Sequence, residues 1–258
     1  MKKAAIIIPA YNEEKRIEKT LEAYSNFFNF MKRNAKLDYE ILVVINNTVD
    51  KTEEIVKKWK NRCDNISYIN LLNGGKGYAV IEGFKYALMR RNDFIGFVDA
   101  DMATNPEEFY KLVYNMNNCD GAIADRYLKD SEVFPPATFR RLIVSRIFNF
   151  LIRALLFLNY RDTQCGAKIF KRNAIEKIIP QLSMSQWAFD VELLYLLKKK
   201  GFKIISIPTK WYDKEYSKIN FLRTGPWMLL GVLRLRILNS PLRKFIKIYD
   251  KLIKFIPR

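Results

Sequence analysis

The feature that most narrows the fold is an alternation in the first half of the chain. Short apolar runs at Ala4–Ile8, Glu40–Ile45, Ile66–Leu72 and Phe94–Val98 are separated by longer stretches of helical periodicity: Glu13 to about Lys32, Asp50–Lys60, Gly77–Arg91 and Pro106–Met116. Runs this short, bounded by polar residues and glycine, suit strands covered on both faces. Strands that alternate with helices build a mainly parallel sheet with helices packed on both sides, the α/β class. Pro106 stands where the first turn of a helix accepts a proline. In such sheets ligands gather beyond the carboxyl ends of the strands, so chemistry is expected in the residues directly after each run.

Past about residue 120 the pattern changes. Gly121–Ala124, Ala167–Phe170 and Ile204–Ile207 read as further strands, with a helix from about Phe189 to Lys200. A loop with Pro135 and Pro136 leads into an amphipathic stretch, Thr138–Leu158. Within Leu142–Tyr160, Ser145, Arg146, Asn149 and Arg153 recur at helical spacing among mostly apolar neighbours, which gives a broad apolar face. From Arg234 onward the tail carries eight basic residues and one acid, Asp250. Ser240-Pro241 makes a helix start. Beyond it Lys244, Lys247, Lys251, Lys254 and Arg258 oppose Phe245, Ile248, Tyr249, Leu252, Phe255 and Ile256. We therefore expect a catalytic domain over residues 1–215 and a basic amphipathic appendage over residues 216–258.

The formal charge of +18 calls for an anionic partner. Nucleic acid is one class, but the basic residues are interspersed in apolar helical faces and no zinc-finger or RRM signature occurs, so no nucleic-acid partner is expected. Acidic lipid surfaces and phosphorylated substrates remain. A basic amphipathic helix with aromatics is the mark of an interfacial anchor, which points to an anionic membrane surface. No apolar run reaches the roughly 18–20 residues of a spanning helix, and Thr224–Leu233 is bounded by Arg223 and Arg234. No signal peptide is visible, and three scattered cysteines (Cys63, Cys119, Cys165) fit a reducing compartment. The expectation is peripheral attachment at the cytoplasmic face without a transmembrane helix. The broad face of Leu142–Tyr160 could instead pack on the catalytic domain or on a second subunit, which leaves a homo-oligomer possible. The chain has no histidine, which removes the commonest general base, zinc ligand and triad member.

Four strand ends carry the candidate chemistry. Pro9-Ala10-Tyr11-Asn12-Glu13-Glu14 follows the first run and Asn46-Asn47-Thr48 the second. Asn73-Gly74-Gly75-Lys76-Gly77 follows the third, where glycines let backbone amides and Lys76 approach an anion at a helix start. Asp99-Ala100-Asp101 follows the fourth. Two carboxylates one residue apart at a strand end suit Mg2+ or Mn2+, with a substrate diphosphate completing the coordination. A lone Asp-x-Asp or a lone lysine is more often a solvated loop. Four such sites at successive strand ends are harder to assign to chance.

Ile8–Glu14, Gly75–Gly77 and Asp99–Asp101 together resemble the family 2 glycosyltransferases, which have a GT-A fold. Asp125-Arg126-Tyr127, Arg140-Arg141 with Ser145, Arg161–Gly166 and Trp187–Glu192 are similar to the dolichyl-phosphate glucose and mannose synthases. Asp162-Thr163-Gln164-Cys165-Gly166 followed by Phe189-Asp190-Val191-Glu192 leans toward the glucosyl branch. The resemblance implies that Pro9, Tyr11, Glu13, Asn46, Lys76 and Asp99 hold the nucleotide sugar, UDP-glucose or GDP-mannose. It implies that Asp99 and Asp101 hold the metal, and that Arg126, Arg140, Arg141 and Ser145 receive the phosphate of a dolichyl or other polyprenyl phosphate. Asp101, Arg126, Arg141 and Asp162 would carry catalysis, with inversion at the sugar. Two positions depart from the family pattern: Asn46 stands where a carboxylate often contacts the base, and Ala103 where mannose synthases often carry a glutamine.

The missing histidine fits this acceptor. A sugar hydroxyl must lose a proton during attack and needs a base, whereas a phosphate monoester is already ionised and needs cations, which arginine supplies in bidentate form. Asp162 and Asp190 remain candidate bases for a hydroxyl acceptor on a glycan or small molecule, or structural partners of the arginines.

Overall fold

The structure, a computed structural model, describes residues 1–136, 139–183, 188–212 and 221–254. The first half is the expected βα series: β1 (Lys3–Ala10), α1 (Ile17–Arg33), β2 (Asp38–Asn46), α2 (Thr52–Arg62), β3 (Ile66–Leu71), α3 (Lys76–Leu88), β4 (Phe94–Val98) and α4 (Pro106–Tyr114). The second half contains β5 (Gly121–Asp125), β6 (Glu132–Phe134), α5 (Phe139–Leu156), β7 (Ala167–Lys171), α6 (Arg172–Ile178), α7 (Phe189–Lys199), β8 (Ile204–Pro208), β9 (Lys210–Tyr212), α8 (Phe221–Leu238) and α9 (Ile246–Lys254). The main sheet runs β3-β2-β1-β4-β7-β5-β8, and β6 pairs with β9 in a small sheet of its own.

All pairs of the main sheet are parallel except those of β7, which runs antiparallel to β4 and β5. Alternation does not reveal this reversal. The chain enters β7 at the carboxyl edge of β4, where Ala167 faces Val98 and the Asp99 amide donates to the Gly166 carbonyl. A strand entered from that edge can only run backwards, and it brings the 162–166 segment beside the candidate carboxylates.

Helices cover both faces, as the buried strands require. On α1 the buried positions Ile17, Thr20, Leu21, Tyr24, Ser25 and Phe28 follow a three-and-four spacing, so one stripe lies on the sheet. There Phe28 meets the rings of Tyr24, Phe27, Tyr39 and Phe109. Helix α4 starts on Asn105, whose Oδ1 accepts from the Glu108 amide at 2.9 Å, with Pro106 in the first turn. On the opposite face α3, α6 and α7 enclose Phe84, Phe97, Phe189 and Leu193. A third cluster joins Phe148, Ile152 and Leu156 of α5 to Val191 of α7 and Met228, Val232 and Leu235 of α8.

The amphipathic stretch forms α5, but only one stripe of its apolar face is covered. Ile147, Phe150, Leu151 and the following Phe157 stay exposed. The tail begins as expected, with Ser240 Oγ accepting from the Leu242 amide over a 3-10 turn at Pro241–Phe245. Its apolar face is divided, contrary to the simple opposition in the sequence. The Tyr249 hydroxyl donates to the Leu230 carbonyl, and Asp250 receives a two-point contact from Arg234, so that side of α9 docks on α8. Leu242, Phe245 and Ile248 face outward. The side chains of Leu252 and Lys254, and residues Phe255, Ile256 and Arg258, lie outside the described residues. Among the described residues no helix is long and apolar enough to cross a membrane.

The aromatic cluster under α1 should dominate the stability of the amino-terminal half. Phe28→Ala is expected to lower the unfolding free energy by about 3–5 kcal/mol in urea denaturation, the cost of emptying an aromatic site in a packed core. A loss under about 1 kcal/mol would mean that the rings around Phe28 do not pack as described.

Candidate active site

The carboxyl edge of the sheet is held in unusual backbone geometry. Asn12, Asn47 and Met102 have φ of 52°, 52° and 59°, so a non-glycine residue stands in the left-handed region just past each of β1, β2 and β4. Asparagine tolerates that region and methionine does so at some cost, and such outliers gather at functional sites. The loops after β1 and β2 are tied to one another. The amides of Asn12, Glu13 and Glu14 donate to Thr48 Oγ1 (3.0 Å), Thr52 Oγ1 (2.8 Å) and Asp50 Oδ2 (3.0 Å), and the Val49 amide donates to Asn12 Oδ1. Burial works to raise the Asp50 carboxyl, but hydrogen bonds from Thr52, the Glu14 amide and Thr48 hold it below the usual range. Neither Asp50 nor Thr52 stands out in the sequence. Their signal is an Asp-x-Thr just ahead of a helix, which reads equally as an ordinary capping segment.

Along this edge Tyr11 is half exposed, and Val49 and Leu72 after β2 and β3 are open as well. Pro9 is the seventh residue of β1, and Glu13 is clamped by Arg16 through contacts of 2.6 and 2.7 Å. Asn46, at the end of β2, is 3% exposed, and its Oδ1 has no hydrogen-bond partner among the described residues. A buried acceptor left without a partner is costly, and a ligand N–H is one way to satisfy it.

Lys76 opens α3 behind Gly75, whose φ of 128° needs a glycine. Its ammonium lies 2.5 Å from Asp99 Oδ1. Desolvation disfavours that charge, but the carboxylates of Asp99 and Asp190 outweigh it and hold the lysine above its usual pKa. Asp101 Oδ1 accepts from the Ala103 amide at 2.9 Å. Burial raises its carboxyl and the Asp99 charge adds to the effect. Two hard carboxylates, one of them short of countercharge, fit a divalent cation. Among the described residues no third aspartate, glutamate, cysteine or histidine joins them, so the remaining ligands would come from a diphosphate and water. Gly166 makes room for this arrangement, since a Cβ built there would sit 1.9 Å from Asp99 Oδ2.

The second half contributes an ion-paired shelf. Asp162 is fully buried and accepts from Arg126 Nε (2.7 Å), Nη2 (2.9 Å) and the Arg126 amide (3.1 Å). Burial works to raise its carboxyl, but Arg126 reverses the effect and holds it below the usual range. Asp190 accepts from the buried Lys168 at 2.6 Å, and Lys168 also donates to the Cys165 carbonyl. Asp190 thus pairs with a lysine and Asp162 with an arginine. The Tyr127 hydroxyl bonds Ser145 Oγ, which ties the Arg126 loop to α5. The side chains of Arg140 and Arg141, on the first turn of α5, lie outside the described residues, as does Trp187. Burial pushes the Cys165 thiol up to about 12, with the Asp162 charge adding to it, which disfavours the thiolate. Five residues carry the chain from Asp162 to Gly166 at Asp99, so the arginine shelf and the carboxylate pair share one segment.

Gly166→Ala should therefore separate activity from stability. The added methyl meets the tip of a side chain, which can move, so the melting temperature is expected to stay within about 3 °C. Turnover is expected to fall by about 100-fold, the penalty for a misplaced group at a reacting centre. Unchanged turnover in a folded Gly166→Ala variant would show that the position of Asp99 is not critical.

A family model described as glycosyl transferase family 2 matches residues 5–179. The chain is 32% identical over 257 residues to the dolichyl-phosphate beta-glucosyltransferase of Homo sapiens, covering 94% of this chain and 78% of that protein. It is 31% identical over 242 residues to the enzyme of the same name from Dictyostelium discoideum, covering 90% and 73%. Among solved structures it resembles a mannosyltransferase from Pyrobaculum calidifontis in complex with GDP-Man and Mn2+, at a TM-score of 0.64 and 16% identity, covering 96% of this chain and 68% of that one. It also resembles the glucosyl-3-phosphoglycerate synthase of Mycobacterium tuberculosis in complex with Mn2+, UDP and glucosyl-3-phosphoglycerate, at a TM-score of 0.62 and 15% identity, covering 92% and 79%. At such identities the structural likeness speaks for the fold alone, and that fold is the GT-A arrangement expected from the sequence. The family match over most of the chain, with relatives above 30% identity along nearly its whole length, places this protein in glycosyl transferase family 2.

Proposed function

We propose that this protein transfers glucose from UDP-glucose to dolichyl or another polyprenyl phosphate, with inversion, at a membrane surface. The observation that carries this reading is the pairing of a carboxylate-and-lysine site at the strand ends with a histidine-free arginine shelf beside it. The relatives named above act, by name, as dolichyl-phosphate beta-glucosyltransferases, which supports glucose over mannose. Ala103, where mannose synthases often carry a glutamine, points the same way.

On the donor side, Tyr11 and the exposed loop around it offer a flat apolar surface to the base. Asn46 offers its unsatisfied oxygen to a base N–H, while Pro9 and Glu13 frame the ribose. Lys76, kept charged by Asp99 and Asp190, lies where a diphosphate would need an ammonium. Asp99 and Asp101 would hold Mg2+ or Mn2+, which when bound would neutralise the charge that develops on the departing UDP.

On the acceptor side, an ionised phosphate oxygen attacks the anomeric carbon of glucose as its bond to the UDP oxygen breaks. No proton has to be removed, so no general base is required. Asp162 could serve poorly as one, because three hydrogen bonds keep its carboxyl low. Its part is to hold Arg126, and Arg126, Arg140, Arg141 and Ser145 would position the phosphate. Apolar residues exposed on α5 (Ile147, Phe150, Leu151) and before α9 (Leu242, Phe245), with Ile248 on it, are interspersed with Arg146, Arg153, Arg243, Lys244, Lys247 and Lys251. These surfaces would rest on an anionic leaflet, with about 1 kcal/mol from each basic residue near it. Residues 216–258 would be the membrane-associating appendage. The unpaired cysteines support the cytoplasmic face.

Radiolabelled UDP-glucose and GDP-mannose, each incubated with dolichyl phosphate and Mn2+ or Mg2+, test this reading. Organic-extractable label is expected from UDP-glucose, is abolished by EDTA, and falls by at least about 100-fold in Asp101→Ala. Label from GDP-mannose instead would reverse the sugar and base. Donor hydrolysis without any lipid labelling would contradict the acceptor.

A further inference from the structure

Arg126 is held on more than one side. Its Nε and Nη2 edge is taken by Asp162, and its guanidinium carbon lies 4.9 Å from the centroid of the Trp211 ring. A carboxylate fixes a guanidinium within their shared plane but leaves it free to hinge out of that plane. An aromatic face stops the hinge. Among the described residues no hydrogen bond occupies Nη1, and the side chain is 20% exposed, so one edge of the fork remains available.

Trp211 is the middle residue of β9 and is 8% exposed. The strand that carries it is held on three sides. Trp211 pairs with Val133 of β6, the Lys210 amide donates to Glu108 Oε2 at 3.0 Å, and the Tyr212 amide donates to the Ala103 carbonyl at 2.9 Å. Ala103 is the residue whose own amide binds Asp101 Oδ1. Three residues of β9 therefore touch both halves of the site. The backbone of Tyr212 holds the loop that presents Asp101, and the ring of Trp211 lies against Arg126, nearer than the Tyr127 ring at 5.8 Å. The spacing between the leaving diphosphate and the incoming phosphate would be fixed through this strut.

From this geometry we infer that Trp211 is a positioning residue for the acceptor phosphate, acting through Arg126. The inference rests on the phosphate-acceptor reading above and adds a determinant that neither the motifs nor the family match assigns.

Steady-state transfer from UDP-glucose to dolichyl phosphate in detergent, with each substrate varied in turn, tests it on Trp211→Leu and Trp211→Phe. Trp211→Leu is expected to raise the KM for dolichyl phosphate about tenfold, the size of a partly desolvated cation–π contact. The KM for UDP-glucose should stay within about twofold, a split that general loosening of the fold would not produce. Trp211→Phe keeps a ring face and should restore the acceptor KM to within about threefold of the parent. If Trp211→Leu does not fold, Trp211→Met, which fills similar space without a ring, is read in its place. An unchanged acceptor KM, an equal rise in both KM values, or no rescue by phenylalanine overturns the role of Trp211 while leaving the reaction in place. A parent chain that labels no dolichyl phosphate overturns the reading and this role together.

Discussion

A carboxylate with no access to water holds this site together. Asp162 is fully buried, and an isolated buried charge would be prohibitively costly. It is compensated by three donors from one residue, the backbone and the guanidinium of Arg126. That arrangement pins the end of β5 to the segment that enters β7. Because β7 starts at the carboxyl edge of β4, the same segment then lays Gly166 against Asp99. Removing one partner would leave the other charge buried and unpaired and would release both the acceptor shelf and one wall of the carboxylate site.

The electrostatics of the site follow a division of labour. Cations are paired with carboxylates: Lys76 with Asp99, Arg126 with Asp162, and Lys168 with Asp190. The Asp101 carboxyl is pushed up, by burial and by its neighbour Asp99. In the proposed reaction such a site would draw phosphates through Lys76 and Arg126 and a divalent cation through Asp99 and Asp101. Among the described residues the two candidate bases, Asp162 and Asp190, are both held in ion pairs. Attack by a group that is already ionised needs no proton removed, which agrees with a phosphate as nucleophile.

Much of this was legible in the sequence, and the limits have physical causes. The βα units and the loops at the strand ends could be read because each strand is a short buried run followed by a polar loop. The direction of β7 could not, since the same apolar run serves a strand of either sense and only the edge at which the chain re-enters decides. β6 and β9 are three residues each, too short to show an alternation, so Trp211 gave no signal. Gly166 stood inside a recognisable string, but its purpose, room for a carboxylate on the neighbouring strand, is a tertiary fact. In sequence the tail sets a polar face against an apolar one. Docking on α8 engages Tyr249 and Asp250 and leaves Leu242, Phe245 and Ile248 exposed.

The central claim is that the acceptor arrives already ionised. It is tested most directly by offering the protein, with UDP-glucose and Mn2+, either dolichyl phosphate or dolichol of the same chain length. The two differ only in the group that attacks. The account predicts glucosylated lipid from the phosphate and less than about one-hundredth as much from the alcohol, with a product that mild acid cleaves as a glycosyl phosphate. Comparable transfer to the alcohol would contradict it, because the chain would then have to supply a general base that the buried ion pairs of Asp162 and Asp190 do not offer.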